Sequence, residues 1–170
     1  MGVRHALVET TLGEVTLVAD DAQLTGVYFA QHWYRPAVSS FGDRVDLDAD
    51  ALLGRAAAQL VEYLAGERQA FELPVRARGD EFQERVWSLL NDIPYGQTVT
   101  YGELADRLGD RSLAQQVGQA VGRNPLCMVI PCHRVVGRDG ALTGYAGGLT
   151  RKRALLSIEE PRPALIGRLF

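Results

Sequence analysis

The spacing of apolar residues changes along this chain, and that change limits the possible folds more than any other feature. In residues 3–29 apolar and polar side chains alternate, as in Glu14-Val15-Thr16-Leu17-Val18 and Leu24-Thr25-Gly26-Val27-Tyr28-Phe29. Leu12-Gly13-Glu14 and Asp20-Asp21-Ala22 interrupt the alternation as turns. A period of two sends successive side chains to opposite faces of a strand, so the segment predicts a small antiparallel meander. From residue 48 the period becomes helical. Leu52, Leu53, Ala56, Leu60, Val61 and Leu64 fall on one face as far as residue 65, and Gly66 supplies the stop. Phe71-Glu72-Leu73-Pro74-Val75 reads as a short strand, kept to a sheet edge because Pro74 has no N–H for a ladder. At Arg76-Ala77-Arg78-Gly79 the chain changes character, which divides it into domains 1–78 and 79–170.

The second domain reads as mainly helical, so the fold class is α/β with a small N-terminal sheet and helix followed by helices. A helix from Asp80 to about Asn91 turns Phe82, Val86, Leu89 and Leu90 inward, with Trp87 on a flank. Thr100-Tyr101-Gly102-Glu103 has the form of a capping box and opens a short helix that Gly109 stops. Ser112 is positioned to cap another helix, carrying Leu113, Val117, Ala120 and Val121 and ending at Gly122-Arg123-Asn124-Pro125. Two short helices joined by a tight Gly-containing turn match a helix-turn-helix, a pattern that simple packing also produces. Thr150 is positioned to cap a last helix running to Glu159, and residues 161–170 read as a tail.

Composition excludes several classes. With 170 residues and 46% hydrophobic content the chain can bury a core, yet no apolar run reaches membrane-spanning length. Met1-Gly2-Val3-Arg4-His5 lacks the layout of a signal peptide, so a cytoplasmic protein is expected. Residues 1–75 carry five Arg and Lys against eleven Asp and Glu, a net −6, and residues 76–170 carry thirteen against ten, a net +3. An acidic partner therefore belongs to the C-terminal half. Two cysteines, Cys127 and Cys132, and three histidines show neither a disulfide framework nor zinc-ligand spacing, so free thiols and no metal are expected.

The chemistry concentrates in Pro131-Cys132-His133-Arg134, inside an apolar run ending at Gly137. Pro131 fixes its own φ and lacks an N–H, which anchors the cysteine in a non-helical turn. A thiol reacts as thiolate, and neighbouring basic or cationic groups raise that fraction. On its own such a cysteine is more often a small buried hydrophobe.

The ordered set of motifs goes further. Phe82-Gln83-Glu84-Arg85-Val86-Trp87, Ile93-Pro94-Tyr95-Gly96, Thr100-Tyr101-Gly102-Glu103-Leu104-Ala105, Gly122-Arg123-Asn124-Pro125, the PCHR run and Leu142-Thr143-Gly144-Tyr145-Ala146-Gly147-Gly148-Leu149 together resemble the O6-alkylguanine-DNA alkyltransferase family from about Phe82 to Glu159. The resemblance implies a monomeric, cofactor-free DNA repair protein. It would flip the damaged base out of double-stranded DNA and move the alkyl group of O6-alkylguanine, and of O4-alkylthymine, to its own cysteine once. Cys132 matches the acceptor. His133 matches the histidine that takes the thiol proton through an ordered water, and Glu159 the carboxylate that orients it. Asn124 matches the bridge between the helix pair and the active turn. Tyr101 matches the tyrosine that crowds the phosphate and protonates the leaving base. Gln115, Val117, Gly118 and Arg123 fall on or beside the recognition helix. Arg134, Val135, Tyr145 and Ala146 fall at the base pocket, where the carbonyls of Cys132 and Val135 would read the exocyclic amine and the Ala146 N–H would meet O6. The family usually has an arginine finger where this chain has Gln115, and Arg111 or Arg123 are the candidates to compensate. Cys127 stands where the family often has proline or a small residue. An alkyltransferase-like lesion-binding protein without transfer is the alternative, and retention of Cys132 argues against it.

Overall fold

The computed structural model describes residues 2–160. The alternating segment forms β1 (Val3–Thr10), β2 (Gly13–Asp20) and β3 (Gln23–Phe29), an antiparallel meander with tight turns pairing Thr10 with Gly13 and Asp20 with Gln23. A two-residue strand, β4 (Asp43–Arg44), pairs in parallel with the free side of β1, giving the order β3-β2-β1-β4. The sheet is therefore mixed, because the chain crosses over after β3 before returning to β1.

α1 (Ala51–Leu64) lies across this sheet and buries Leu53, Ala56, Ala57, Leu60, Tyr63 and Leu64. Asp50 caps it by accepting from the Leu53 N–H at 3.0 Å, and a 3-10 turn, Leu47–Ala49, precedes it, so the helix starts later than residue 48. Gly66 (φ 78°) stops it as expected. Val61, expected inward, is 48% exposed. The buried stripe runs through Leu60 and Leu64, and Val61 lies about 100° round the helix from Leu60. Phe71–Val75 does not form a strand. It reduces to a bridge between Leu24 and Val75, in which the Pro74 carbonyl accepts from Leu24 at 2.8 Å.

The second half contains α2 (Glu81–Leu90), α3 (Tyr101–Arg107), α4 (Ala114–Gly122) and α5 (Leu149–Glu159). A parallel pair, β5 (Val99–Thr100) and β6 (Val135–Val136), joins the segment before α3 to the segment after the cysteine turn. Asp80–Gln83 and Thr100–Glu103 both form reciprocal capping boxes. Two expected caps are displaced. Asp110, not Ser112, accepts the free N–H at the turn before α4, because a 3-10 turn (Arg111–Leu113) intervenes. α5 begins after Gly148, whose φ of 91° makes the sharp entry, and no side chain caps it. Residues 161–170, read as a tail, lie outside the described residues.

One apolar core runs through both halves, from Leu17, Phe29 and Leu60 to Leu90, Leu104, Leu126, Val135 and Leu155. The outer edge of β3 is also engaged: the Val27 N–H donates to the Pro125 carbonyl at 2.8 Å and Val27 bridges Leu126. The sheet thereby covers an edge that would otherwise expose unpaired groups, and it holds one end of the loop leading to Cys132. Among the described residues no helix is long and apolar enough to cross a membrane.

Candidate active site

The cysteine turn is built from backbone upward. Pro131 (φ −79°, ψ 66°) is the centre of an inverse γ-turn in which the Ile130 carbonyl accepts from the Cys132 N–H at 2.7 Å. The expected non-helical anchor is therefore present at Pro131, while Cys132–Arg134 itself is a single 3-10 turn. Asn124 ties off the preceding loop. Its Nδ2 donates to the Ile130 carbonyl at 2.8 Å, and its Oδ1 accepts from the Leu126 N–H at 3.0 Å. Both ends of residues 126–130 are thus held by one buried amide.

Glu159, at the C-terminal end of α5, is the charge around which the site is organised. Its Oε2 accepts from His133 Nε2 at 2.7 Å, from Arg134 Nη2 at 2.9 Å and from the Tyr63 hydroxyl at 2.5 Å, and its Oε1 accepts from Arg134 Nε at 2.7 Å. Burial alone would raise this carboxyl, but the bonds from His133, Arg134 and Tyr63 outweigh it and hold it down to about 2. Desolvation lowers the fully buried His133, against the pull of Glu159, so its ring is neutral at neutral pH. With Nε2–H donating to the carboxylate, the lone pair lies on Nδ1, which is buried and has no hydrogen-bond partner among the described residues. That nitrogen is the basic atom of the centre.

Cys132 is 3% exposed. Its thiol is lowered, first by a hydrogen bond from Cys127, then by Asn124 and by the charge of Lys152, all against burial. Lys152 is fully buried, with Nζ donating to the Val135 carbonyl at 2.5 Å and the Thr143 carbonyl at 2.8 Å. Burial brings its ammonium down to about 8, which still leaves it charged at neutral pH.

The expected residues divide into three groups. Cys132, His133, Glu159 and Asn124 come together as read from the sequence. Tyr101, Gln115, Gly118 and Ala146 line a surface groove of about 500 Å³ with Trp33, Tyr34 and Gly144, and the Tyr101 ring lies against Gly118. Burial raises the Tyr101 hydroxyl while a bond with Thr143 opposes it. Arg123 is exposed, its guanidinium 4.1 Å from the Tyr34 ring centre, and Arg111 is held by Asp106 at 2.6 Å. The third group sits elsewhere than expected. Arg134, expected at the base pocket, is turned into the interior instead. It is buried, committed to Glu159 and to the Ile93 carbonyl at 2.6 Å, because the 3-10 turn points it inward beneath α5. Val117 is fully buried on the core side of α4. Tyr145 is buried with its hydroxyl 2.7 Å from Cys127 Sγ, and the Val135 carbonyl already accepts from Lys152.

Two side chains of the site, Tyr63 and Lys152, were not singled out from the sequence, and the contact of Cys127 with Tyr145 was not foreseen. A signal existed for both side chains. Lys152 precedes Glu159 by seven residues, two helical turns, so both occupy one face of α5. Tyr63 follows Leu60 by three on the buried stripe of α1. Cys127 had no periodic signal because its loop is irregular.

A sheet-and-helix half joined to a helical half, with a buried Cys-His-Glu group and a groove along α4, defines the class of protein. Residues 3–77 match the ribonuclease-like domain of 6-O-methylguanine DNA methyltransferases and residues 81–161 match their DNA binding domain, so the chain belongs to the 6-O-methylguanine DNA methyltransferase family. It is 41% identical over 160 residues to a methylated-DNA–protein-cysteine methyltransferase of Mycobacterium tuberculosis, covering 94% of each chain. A constitutive methylated-DNA–protein-cysteine methyltransferase of Bacillus subtilis is 38% identical over 92% of this chain and 94% of its own. The crystal structure of Mycobacterium tuberculosis OGT in complex with DNA superposes with a TM-score of 0.83 at 39% identity, covering 92% of both chains.

Proposed function

We propose that this protein repairs O6-alkylguanine in double-stranded DNA by moving the alkyl group irreversibly to Cys132. What supports the reading is the buried Glu159–His133 pair, whose free ring nitrogen Nδ1 belongs to the residue next to Cys132 in the same turn. The carboxylate fixes the imidazole tautomer, and Nδ1 receives the Cys132 proton, directly or across one water. The thiolate attacks the alkyl carbon, the S–C bond forms as the C–O bond breaks, and guanine departs with the electron pair. Tyr101, on the groove wall, supplies the proton the departing base needs. The product thioether has no leaving group of comparable quality, so one molecule reacts once. All of these groups belong to one chain, and a monomer suffices.

The groove beside α4 receives the DNA, with Gln115 and Gly118 on the helix that faces it and the exposed Arg123 immediately after that helix. Ala146 forms the wall of the groove against which the flipped base rests, and Tyr145 beside it in the chain is buried. O4-alkylthymine presents the same alkyl–oxygen bond and is the second substrate of this reading.

Incubation with an O6-methylguanine duplex should add one methyl, in place of a proton, to intact protein, and peptide mapping should locate it on Cys132. A Cys132→Ser chain should acquire no mass. Removal of the methyl group by Cys132→Ser, or tight binding of the lesion by the unaltered protein without any mass change, would overturn the proposal.

A further inference from the structure

The groove along α4 draws part of its lining from the other half of the chain. The connection after β3 carries two adjacent aromatic residues, Trp33 and Tyr34, which are 55% and 57% exposed and line the groove together with Gln115 and Gly118. Neither ring belongs to the core, so packing does not account for them. Both are nevertheless fixed in place. The Trp33 N–H donates to the Ala146 carbonyl at 2.8 Å, and its ring lies over Gly144, where an added β-carbon would stand 3.7 Å away. The Tyr34 ring lies over Gly122 at the end of α4 and carries the Arg123 guanidinium 4.1 Å from its centre. Tyr34 is also held at φ 58°, a left-handed conformation that a residue with a side chain rarely adopts unless its surroundings impose it.

We propose that Trp33 and Tyr34 form a stacking platform for an unpaired nucleotide, so that DNA is contacted by the N-terminal half as well as by the matched DNA binding domain at residues 81–161. This rests on the reading of the groove beside α4 as the DNA site. Three observations select a nucleotide as the occupant. The groove is continuous with α4 of that domain, where DNA is the partner. Arg123 sits on the Tyr34 ring, and a cation beside an aromatic face offers a nucleotide both its needs, a partner for the phosphate and a surface for the base. Trp33 is tethered to Ala146, the wall assigned to the flipped base, which sets its ring beside a nucleotide that has left the helix. A base still in the stack has its faces covered by its neighbours and offers only its edges, so a flat ring in this place suits the extrahelical state.

Stacking by a neutral ring leaves a signature that charge does not. Removing Trp33 should weaken binding to a duplex with one nucleotide outside the stack, and weaken binding to a fully paired duplex much less. The dependence of affinity on salt should not change, because its slope counts phosphate contacts and Trp33 makes none. The chain has two tryptophans, and the other, Trp87, is 2% exposed, so the emission that DNA can reach belongs to Trp33.

The test uses the full-length protein, unaltered and as Trp33→Ala, Trp33→Phe and Tyr34→Ala. The probes are a duplex with a single-guanosine bulge and the fully paired duplex of the same sequence. Neither carries an alkyl group, so binding is read without transfer. The bulged duplex should quench the exposed tryptophan of the unaltered protein. Trp33→Ala should abolish that quench and lower affinity for the bulged duplex about tenfold, the order for one base stacked on an aromatic side chain. Tyr34→Ala should lower it in the same sense, and Trp33→Phe, which keeps a ring, should lie near the unaltered protein. Emission that the bulged duplex leaves unquenched, or an equal loss of affinity for both duplexes, would overturn the proposal. So would a Trp33→Ala chain whose sedimentation without DNA changes while its affinity for the bulge does not, since the rings would then join two copies of this chain. Gln115→Arg, on the α4 side of the same groove, separates the two readings. If it alters DNA affinity and Trp33→Ala does not, the groove remains the DNA site and this inference alone fails; if neither alters it, both fail.

Discussion

Glu159 shows how one buried charge can set the chemistry of its neighbours. It is 3% exposed, and a carboxylate so placed is tolerable only with donors on every lone pair. Arg134 supplies the compensating charge, Tyr63 a neutral donor, and His133 the donor that the proposed transfer would use. The same arrangement makes stability depend on pH in a definite direction. The Glu159 carboxyl titrates at 4.5 in an unfolded chain and at about 2 here, so its contribution is complete above pH 4.5 and is lost as the pH falls toward 2. That loss corresponds to about 3 kcal/mol. His133 acts in the same sense from a higher pH, since the unfolded chain takes up its proton below 6.5 while the buried ring resists it. Urea midpoints measured from pH 7 downward should therefore fall in two stages. In Glu159→Gln the lower stage should be absent, and stability at neutral pH should already be reduced by about 3 kcal/mol because Arg134 is left buried without its counter-charge.

At the scale of elements, α3 and α4 divide structure from function along their faces. Leu104 and Ala105 on α3 are buried, as are Val117, Ala120 and Val121 on α4, which packs on both α3 and α2 and whose Ala120 carbonyl accepts from Trp87 Nε1 of α2 at 2.8 Å. Gln115, Gly118 and Gln119 face the groove. The capping box at Thr100 and Glu103 was legible because a cap is decided within four residues. The site of the cap before α4 was not, because whether the chain first makes a 3-10 turn depends on how α4 seats on α2 and α3. The family resemblance put Val117 with the DNA contacts, but the fold follows its place among the apolar residues of the helix, and it is buried. Gln115 is the groove position at which a single change should alter partner affinity without disturbing the core. It is exposed, and its replacement by arginine adds one cation beside the groove. Gln115→Arg should tighten binding to duplex DNA and steepen the fall of log affinity with log salt by about 0.9, the value for one added phosphate contact. Binding isotherms at several salt concentrations measure this. An unchanged slope would place Gln115 away from the backbone path.

The whole molecule explains why the two halves cannot be read separately. Local period located the meander of β1–β3 and the helices, whereas the grouping of Cys132 and His133 with Glu159 came from the family resemblance, since Glu159 lies 26 residues from His133. Local period could not locate contacts made across large separations in the chain. Lys152 reaches the Val135 and Thr143 carbonyls, Arg134 turns inward to Glu159, and Tyr63 crosses from α1 to a carboxylate 96 residues away. The last of these joins the N-terminal half to the chemistry. Tyr63 is 1% exposed and lies where α1, the Cys132 turn and the end of α5 meet, with Phe71 and Tyr95 packed on its ring. Its hydroxyl approaches both Glu159 Oε2 and, at 3.1 Å, His133 Nε2. Burial and the neighbouring carboxylate raise this phenol far beyond neutral pH, so it only donates. Tyr63→Phe keeps the ring and removes that donor, leaving Glu159 with one bond fewer and His133 less firmly oriented. Unfolding free energy should fall by about 1.5–3 kcal/mol, the range for a hydrogen bond to a charged group. Methyl transfer should slow while affinity for undamaged duplex stays constant, because the groove is untouched. If transfer were unchanged and only stability fell, the N-terminal half would act as a support alone. A slower transfer with intact DNA binding would instead make α1 part of the machinery that holds the base catalyst in its working tautomer.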